Sequence, residues 1–98
     1  MGIAIYIQDA NHKIVKCADG PPSSSLAEII SDAPLGSLLE GIHLYALTMF
    51  NSYQLKFLLV ELSAATPKND QQREMVINLQ AASEYAIQKT GYLWFIGD

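Results

Sequence analysis

The chain alternates between two hydrophobic rhythms. Ile3-Ala4-Ile5-Tyr6-Ile7-Gln8 is rich in β-branched and aromatic residues and predicts a strand. Asp9-Ala10-Asn11-His12 supplies turn residues, and Lys13-Ile14-Val15-Lys16-Cys17 follows as a second strand, so the N-terminus reads as a β-hairpin. Ile14 and Lys16 would share a face there, an alternation loose enough to leave the register open. Asp19-Gly20-Pro21-Pro22 then ends regular structure and begins a loop.

Helical spacing takes over downstream. Ser25 and Glu28 have the form of a capping box, predicting a short helix from about Leu26 to Ser31 that Pro34 stops. Ser37 and Glu40 repeat that form and predict a longer helix through about Phe50. Its Leu38, Leu39, Ile42, Tyr45, Ala46, Met49 and Phe50 recur at spacings of three and four. Only Glu40, His43 and Thr48 mark its polar side, which suits a central helix. Asn51 with Gln54 can cap the next segment. Tyr53 to Ala65 fits a strand by its alternating Tyr53, Leu55, Phe57 and Leu59, and a helix by Leu55, Leu58, Leu59 and Leu62. The run Glu61 to Ala65 before Thr66-Pro67 favours helix. Asn69 or Asp70 caps a last helix, about Gln71 to Lys89, with Met75, Val76, Leu79, Ala82, Ser83, Ala86 and Ile87 facing the core and Gly91 as its C-cap. Tyr92-Leu93-Trp94-Phe95-Ile96 is apolar on both faces and bounded by glycines, so it reads as a strand buried between neighbours.

Strand, strand, helices, strand is an α+β order. The economical packing joins the N-terminal hairpin and the C-terminal strand in a small antiparallel sheet and lays three or four helices across it. At 98 residues the chain makes a single domain. Half of it is hydrophobic and its mean hydropathy is positive, which fits either apolar surface left over for an interface or a dense core with a few scattered exposed Leu residues. A homodimer is one outlet for that surplus.

Charge sharpens the picture. Between Cys17 and Leu55 there is no Lys or Arg, yet Asp19, Glu28, Asp32 and Glu40 lie there, so the net charge of −4 resides in that one segment. The remaining six acids balance the six bases. A pI near 4.9 argues against direct nucleic-acid binding, which relies on Lys and Arg at phosphates. Cys17 is the one cysteine, which excludes an internal disulfide and a Cys-rich zinc site and fits a reducing cytoplasm. The N-terminus has no basic signal region, Tyr6 stands where a myristoylation motif needs Ser or Thr, and Gln54, Lys56 and Glu61 interrupt the most apolar stretch. A soluble protein without a membrane span is expected.

Candidate chemistry is thin. Cys17 with His12 could form an activated thiolate, but five residues apart across a hairpin strand they need not meet. His43 with Glu40 at i−3 could be an oriented base, though no nucleophile accompanies it. Ser23-Ser24-Ser25 lacks the glycine frame of a nucleophile elbow, Gly20-Pro21-Pro22 is no phosphate cradle, and two His with scattered acids give no metal spacing. No cofactor is implied. The C-terminal aromatics are either core or, for one of Tyr92, Trp94 and Phe95, a docking or base-stacking surface.

In size, acidity and lack of catalytic motifs the chain resembles the small cytosolic immunity proteins that bacteria pair with nuclease-type toxins. The likeness is carried by the base-free Cys17 to Leu55 segment with Asp19, Glu28, Asp32 and Glu40. It implies a stoichiometric inhibitor, not an enzyme, whose acidic side chains occupy the face where a basic toxin meets phosphates. The alternative is a self-associating structural or adaptor module, with a small enzyme third.

Overall fold

The computed structural model describes residues 3–17 and 23–97. In chain order the elements are β1 (Ile3–Gln8), β2 (Ile14–Cys17), α1 (Ser23–Asp32), β3 (Leu47–Asn51), α2 (Ser52–Ala64), α3 (Asp70–Gln88) and β4 (Tyr92–Gly97). The α+β expectation holds: the hairpin and the C-terminal strand share one antiparallel sheet under three helices, and β3 is a fourth strand that the sequence pattern did not announce. The strand order is β2-β1-β4-β3.

Asp9 closes the hairpin. Its Oδ1 accepts from the Asn11 N–H at 2.9 Å and the Lys13 N–H at 3.0 Å, while His12 turns the chain at φ 62°. The Lys13 amide foremost holds the Asp9 carboxyl below the usual carboxylate range; desolvation opposes it, and the Asn11 amide adds to the lowering. A bulge between Ile7 and Gln8 settles the register that the loose alternation of β2 left open.

One side of the sheet is core. Ile7, Phe50, Leu93 and Phe95 meet Leu26, Ile29 and Ile30 of α1, Leu55, Leu58 and Leu62 of α2, and Met75, Val76, Leu79 and Ala86 of α3. Phe50 stands edge-on to Phe95 with ring centroids 5.9 Å apart, which ties β3 to β4 in the core. Tyr53 to Ala65 is helical as expected: α2 starts on a complete capping box, with Asn51 Oδ1 accepting from the Gln54 N–H and Gln54 Oε1 accepting from the Asn51 N–H, both at 2.9 Å. Asn69 likewise caps α3 through the Gln72 N–H at 2.8 Å.

Three local expectations are corrected. No helix spans Ser37 to Phe50. Residues 37–42 form consecutive turns, with Ser37 Oγ accepting from the Glu40 N–H at 3.2 Å, and Leu47–Asn51 pairs with β4 instead. The free edge of β4 offers unpaired backbone groups, and Leu47-Thr48-Met49-Phe50 alternates well enough to satisfy them, which outweighs a helical spacing that also fits. The Ser25–Glu28 box does not form either: α1 begins at Ser23, Ser25 is buried inside it, and Glu28 bonds to α3. At the end of α3 the left-handed residue is Thr90 at φ 52°, and Gly91 follows it, donating to the Ala86 carbonyl at 2.9 Å. A Cβ on Gly91 would overlap the Gln8 carbonyl oxygen, so glycine is required there for close approach.

Candidate functional site: the open face of the sheet

Alternation sends every second strand residue away from the helices. The registers then set the outward residues in rows. Ala4, Ile96 and Leu47 form one; Cys17, Tyr6, Trp94 and Met49 the next; Ile14, Gln8, Tyr92 and Asn51 the third. None of the described helices covers this side. Leu47 is 62% exposed, Ile14 55%, and Met49 and Ile96 are also exposed, while Tyr6, Tyr92 and Trp94 are half-buried among their neighbours. An antiparallel sheet with one solvated face normally turns polar residues outward. Here not one outward residue is charged.

The aromatic part of this face is held in place. Trp94 Nε1 donates to Gln8 Oε1 at 2.6 Å, and His12 Nδ1 lies 3.1 Å from the same oxygen. The His12 ring stacks on Tyr92, with centroids 4.1 Å apart and planes 11° from parallel. The residues thus form a fixed shelf built from β1, β4 and the hairpin turn. Fixed aromatics with a polar handle give large contact area at small entropic cost.

The acidic residues are dispersed by comparison. Glu28 and Asp32 lie one turn apart on the exposed side of α1, in a shallow depression shared with Lys68 and Gln72. Glu28 Oε1 accepts from Gln72 Nε2 at 3.0 Å, and Asp32 pairs with Lys68 at 3.0 Å. Glu40 sits in the loop beyond α1 and accepts from the Gly36 N–H at 3.2 Å. Asp19 lies outside the described residues. The structure therefore brings Glu28 and Asp32 together and joins Glu40 to neither through any bond.

The residues weighed for catalysis also part. Cys17 is exposed at the end of β2, whereas His12 is engaged at the hairpin turn with Gln8 and Tyr92. His43 is not on a helix; its Nδ1 accepts from the Tyr45 N–H at 3.2 Å, and the i−3 pairing with Glu40 has no helix to support it. Among the described residues no group of three or more His, Cys, Asp or Glu is placed to hold a metal ion. Among the described residues no helix is long and apolar enough to cross a membrane. A groove of about 400 Å³ opens where α1, α2 and α3 meet, lined mainly by apolar residues including Ile29, Val60, Ala64 and Val76. Its charged groups are already engaged, Asp32 with Lys68 and Glu61 with the Leu38 and Leu39 amides, so it holds no uncommitted charge to orient a small ligand.

Leu47, Met49 and Ile96 are the surface residues that sequence reasoning missed. The alternation of Tyr92, Trp94 and Ile96 carried a signal, but that of Leu47 and Met49 was masked by the helical reading of the same stretch. Compared with family models, with curated proteins and with solved structures, the chain matches none of them.

Proposed function

We propose that this chain acts by binding rather than by turnover, as a protein-binding module that seats the apolar surface of a partner protein on its open sheet face. The observation that carries the reading is the absence of any charged side chain among the outward residues of all four strands. Interface centres are depleted of charge and enriched in Tyr and Trp, as this face is. A base-stacking role has less support, because strand binding pairs aromatics with flanking cations and this face presents none. Cys17, exposed on the same face, is compatible with a reducing cytoplasm.

A second reading makes the partner a basic, nuclease-type toxin and the chain its stoichiometric inhibitor. Glu28 and Asp32, side by side on α1, favour it. Asp32 weighs against it, since Lys68 already compensates that charge.

Affinity capture with two surface variants separates these readings. Leu47→Lys with Met49→Lys places charge on the sheet face, and Glu28→Lys with Asp32→Lys reverses the α1 patch. The sheet-face reading expects wild type and the α1 variant to retain a near-stoichiometric protein that the sheet variant loses. Retention by the sheet variant and loss by the α1 variant would instead select the toxin-inhibitor reading.

A further inference from the structure

α2 is apolar on two opposite sides, with its polar residues Gln54, Lys56, Glu61 and Ser63 between them. Leu55, Leu58 and Leu62 point into the core, and the opposite side carries Tyr53, Phe57, Val60 and Ala64. Tyr53 and Val60 are each 67% exposed and Phe57 51%. A contiguous apolar side on a helix is ordinarily covered. Nothing in this chain's described residues covers the outer one.

The spacing of the outer residues is specific. Steps of four, three and four put Tyr53, Phe57, Val60 and Ala64 at successive d, a, d and a positions of a heptad, the seam by which two helices pack knobs into holes. Lys56 then falls at g and Glu61 at e. In a parallel pair, g faces the partner's e five residues further on, which sets Lys56 of each copy beside Glu61 of the other. In an antiparallel twofold pair g faces g and e faces e, so Lys56 and Glu61 of the two copies lie on opposite sides of the seam and the charge match is lost. Lys56 makes neither of the ion pairs among the described residues. The Glu61 oxygens each accept one backbone N–H, from Leu38 and Leu39, and a carboxylate oxygen has a second lone pair for an ammonium group.

We propose that α2 is a homodimer seam, pairing in parallel with α2 of a second copy about a twofold axis. The occupant is this chain itself because one α2 supplies both halves of the charge match and a complete d-a-d-a face. The helix is already fixed by its core side and its capping box, so association incurs no folding cost for the helix. Specific interfaces begin at about 1,000 Å² in total, and so short a seam belongs near that limit, giving a dissociable dimer with Kd on the order of micromolar. The seam lies on the side of α2 turned away from the sheet. Both open sheet faces would stay free in the dimer, so this inference does not depend on the partner-binding reading.

Sedimentation velocity between about 1 μM and 1 mM tests the proposal over the range where such a dimer dissociates. Wild type is expected to pass from monomer to dimer, Phe57→Lys to stay monomeric with an unchanged thermal melt, and Lys56→Glu to weaken association by roughly tenfold. Geometry is read independently in a Cys17→Ser background. Tyr53→Cys should form a disulfide-linked dimer on mild oxidation, because a parallel seam brings residue 53 beside its own copy. A monomer throughout the range, or a dimer indifferent to Phe57→Lys, overturns the seam. Cross-linking only when Tyr53→Cys is mixed with Ala64→Cys overturns the parallel pairing.

Discussion

Trp94 Nε1 donates to Gln8 Oε1 across neighbouring strands at 2.6 Å, on the side of the sheet that none of the described helices covers. Gln8 faces Tyr92 in the register and Trp94 faces Tyr6, so the bond runs diagonally between rows. The indole N–H would otherwise be a half-desolvated donor on an apolar surface. With its one polar atom satisfied inside the protein, the ring is left to present its hydrocarbon area outward.

Replacing Gln8 tests that relationship. Gln8→Leu keeps much of the bulk but removes the acceptor serving both Trp94 and His12, and should cost about 1 kcal/mol in urea unfolding with a red shift of tryptophan emission. Gln8→Ala should cost as much, while Gln8→Glu retains an acceptor and restores the emission. A Gln8→Leu protein with wild-type stability and emission would show that water serves the indole equally well.

Thr90 and Gly91 should respond in opposite directions. Thr90 is β-branched and held at φ 52°, a conformation that costs an L-residue roughly 1–2 kcal/mol and glycine nearly nothing. After the entropy glycine loses on folding, Thr90→Gly should still stabilise by about 0.5–1 kcal/mol. Gly91→Ala drives a Cβ into the Gln8 carbonyl, backbone meeting backbone in paired strands, and should cost about 3 kcal/mol or more. Thermal melts of the two variants decide, and a shift of equal sign in both would refute this account.

The Gln8–Gly91 approach also shows what the amino-acid pattern could reveal. Asn51–Gln54 and Asn69 were recognisable as caps because each depends on residues within a few positions, whereas Gly91, expected as the C-cap, lies two residues beyond the cap Lys89 and serves the approach to Gln8. The pairing of β4 with the N-terminal hairpin followed from economy of packing, whereas its apolar character on both faces pointed to burial throughout and only the Leu93–Phe95 side is buried. Leu47 to Asn51 was illegible for the opposite reason. Its spacing satisfies a helix locally, and only the second edge of β4, more than forty residues away, makes it a strand. With that strand misread, Met49 falls on the apolar face of a helix, and the uncharged sheet face goes unseen. Of the acidic run, Glu28 and Asp32 share one surface and Glu40 stands apart, because proximity along the chain does not survive folding. Glu28 turns to Gln72 and Asp32 to Lys68, partners that lie far downstream in sequence.

Asp9 makes the hairpin turn sensitive to acid. Its folded-state pKa lies below the ordinary 3.8, principally through the Lys13 amide, so the ionised form is the one the turn favours. Its contribution is complete above the unfolded value and is lost as pH falls through the lower folded value. In an NMR titration the Asn11 and Lys13 amide shifts should move together with a midpoint under 3.8. Asp9→Asn preserves a neutral acceptor and should abolish that step. A midpoint at or above 3.8 would mean that the two amide bonds do not favour the charged form.

Glu61 links α2 to the turn that precedes β3. Its Oε2 accepts from the Leu38 N–H at 2.9 Å and its Oε1 from the Leu39 N–H at 3.0 Å, in a partly buried setting beside the core residues Leu39 and Ile42. Bonds to a charged acceptor are worth more than neutral ones, and removing the carboxylate leaves two amide donors without it. Glu61→Ala should therefore destabilise by about 2–3 kcal/mol. Glu61→Gln keeps one acceptor oxygen but sets an amide NH₂ against the other N–H, so it should recover no more than half of that loss. Measurements below micromolar concentration keep dimer formation out of the comparison, and hydrogen exchange at Leu38 and Leu39 locates the effect. Exchange should accelerate at both amides along with the fall in urea midpoint. If Glu61→Ala melts like wild type while only these amides exchange faster, the carboxylate orders the turn without contributing to global stability, and the turn is then not part of the cooperative fold.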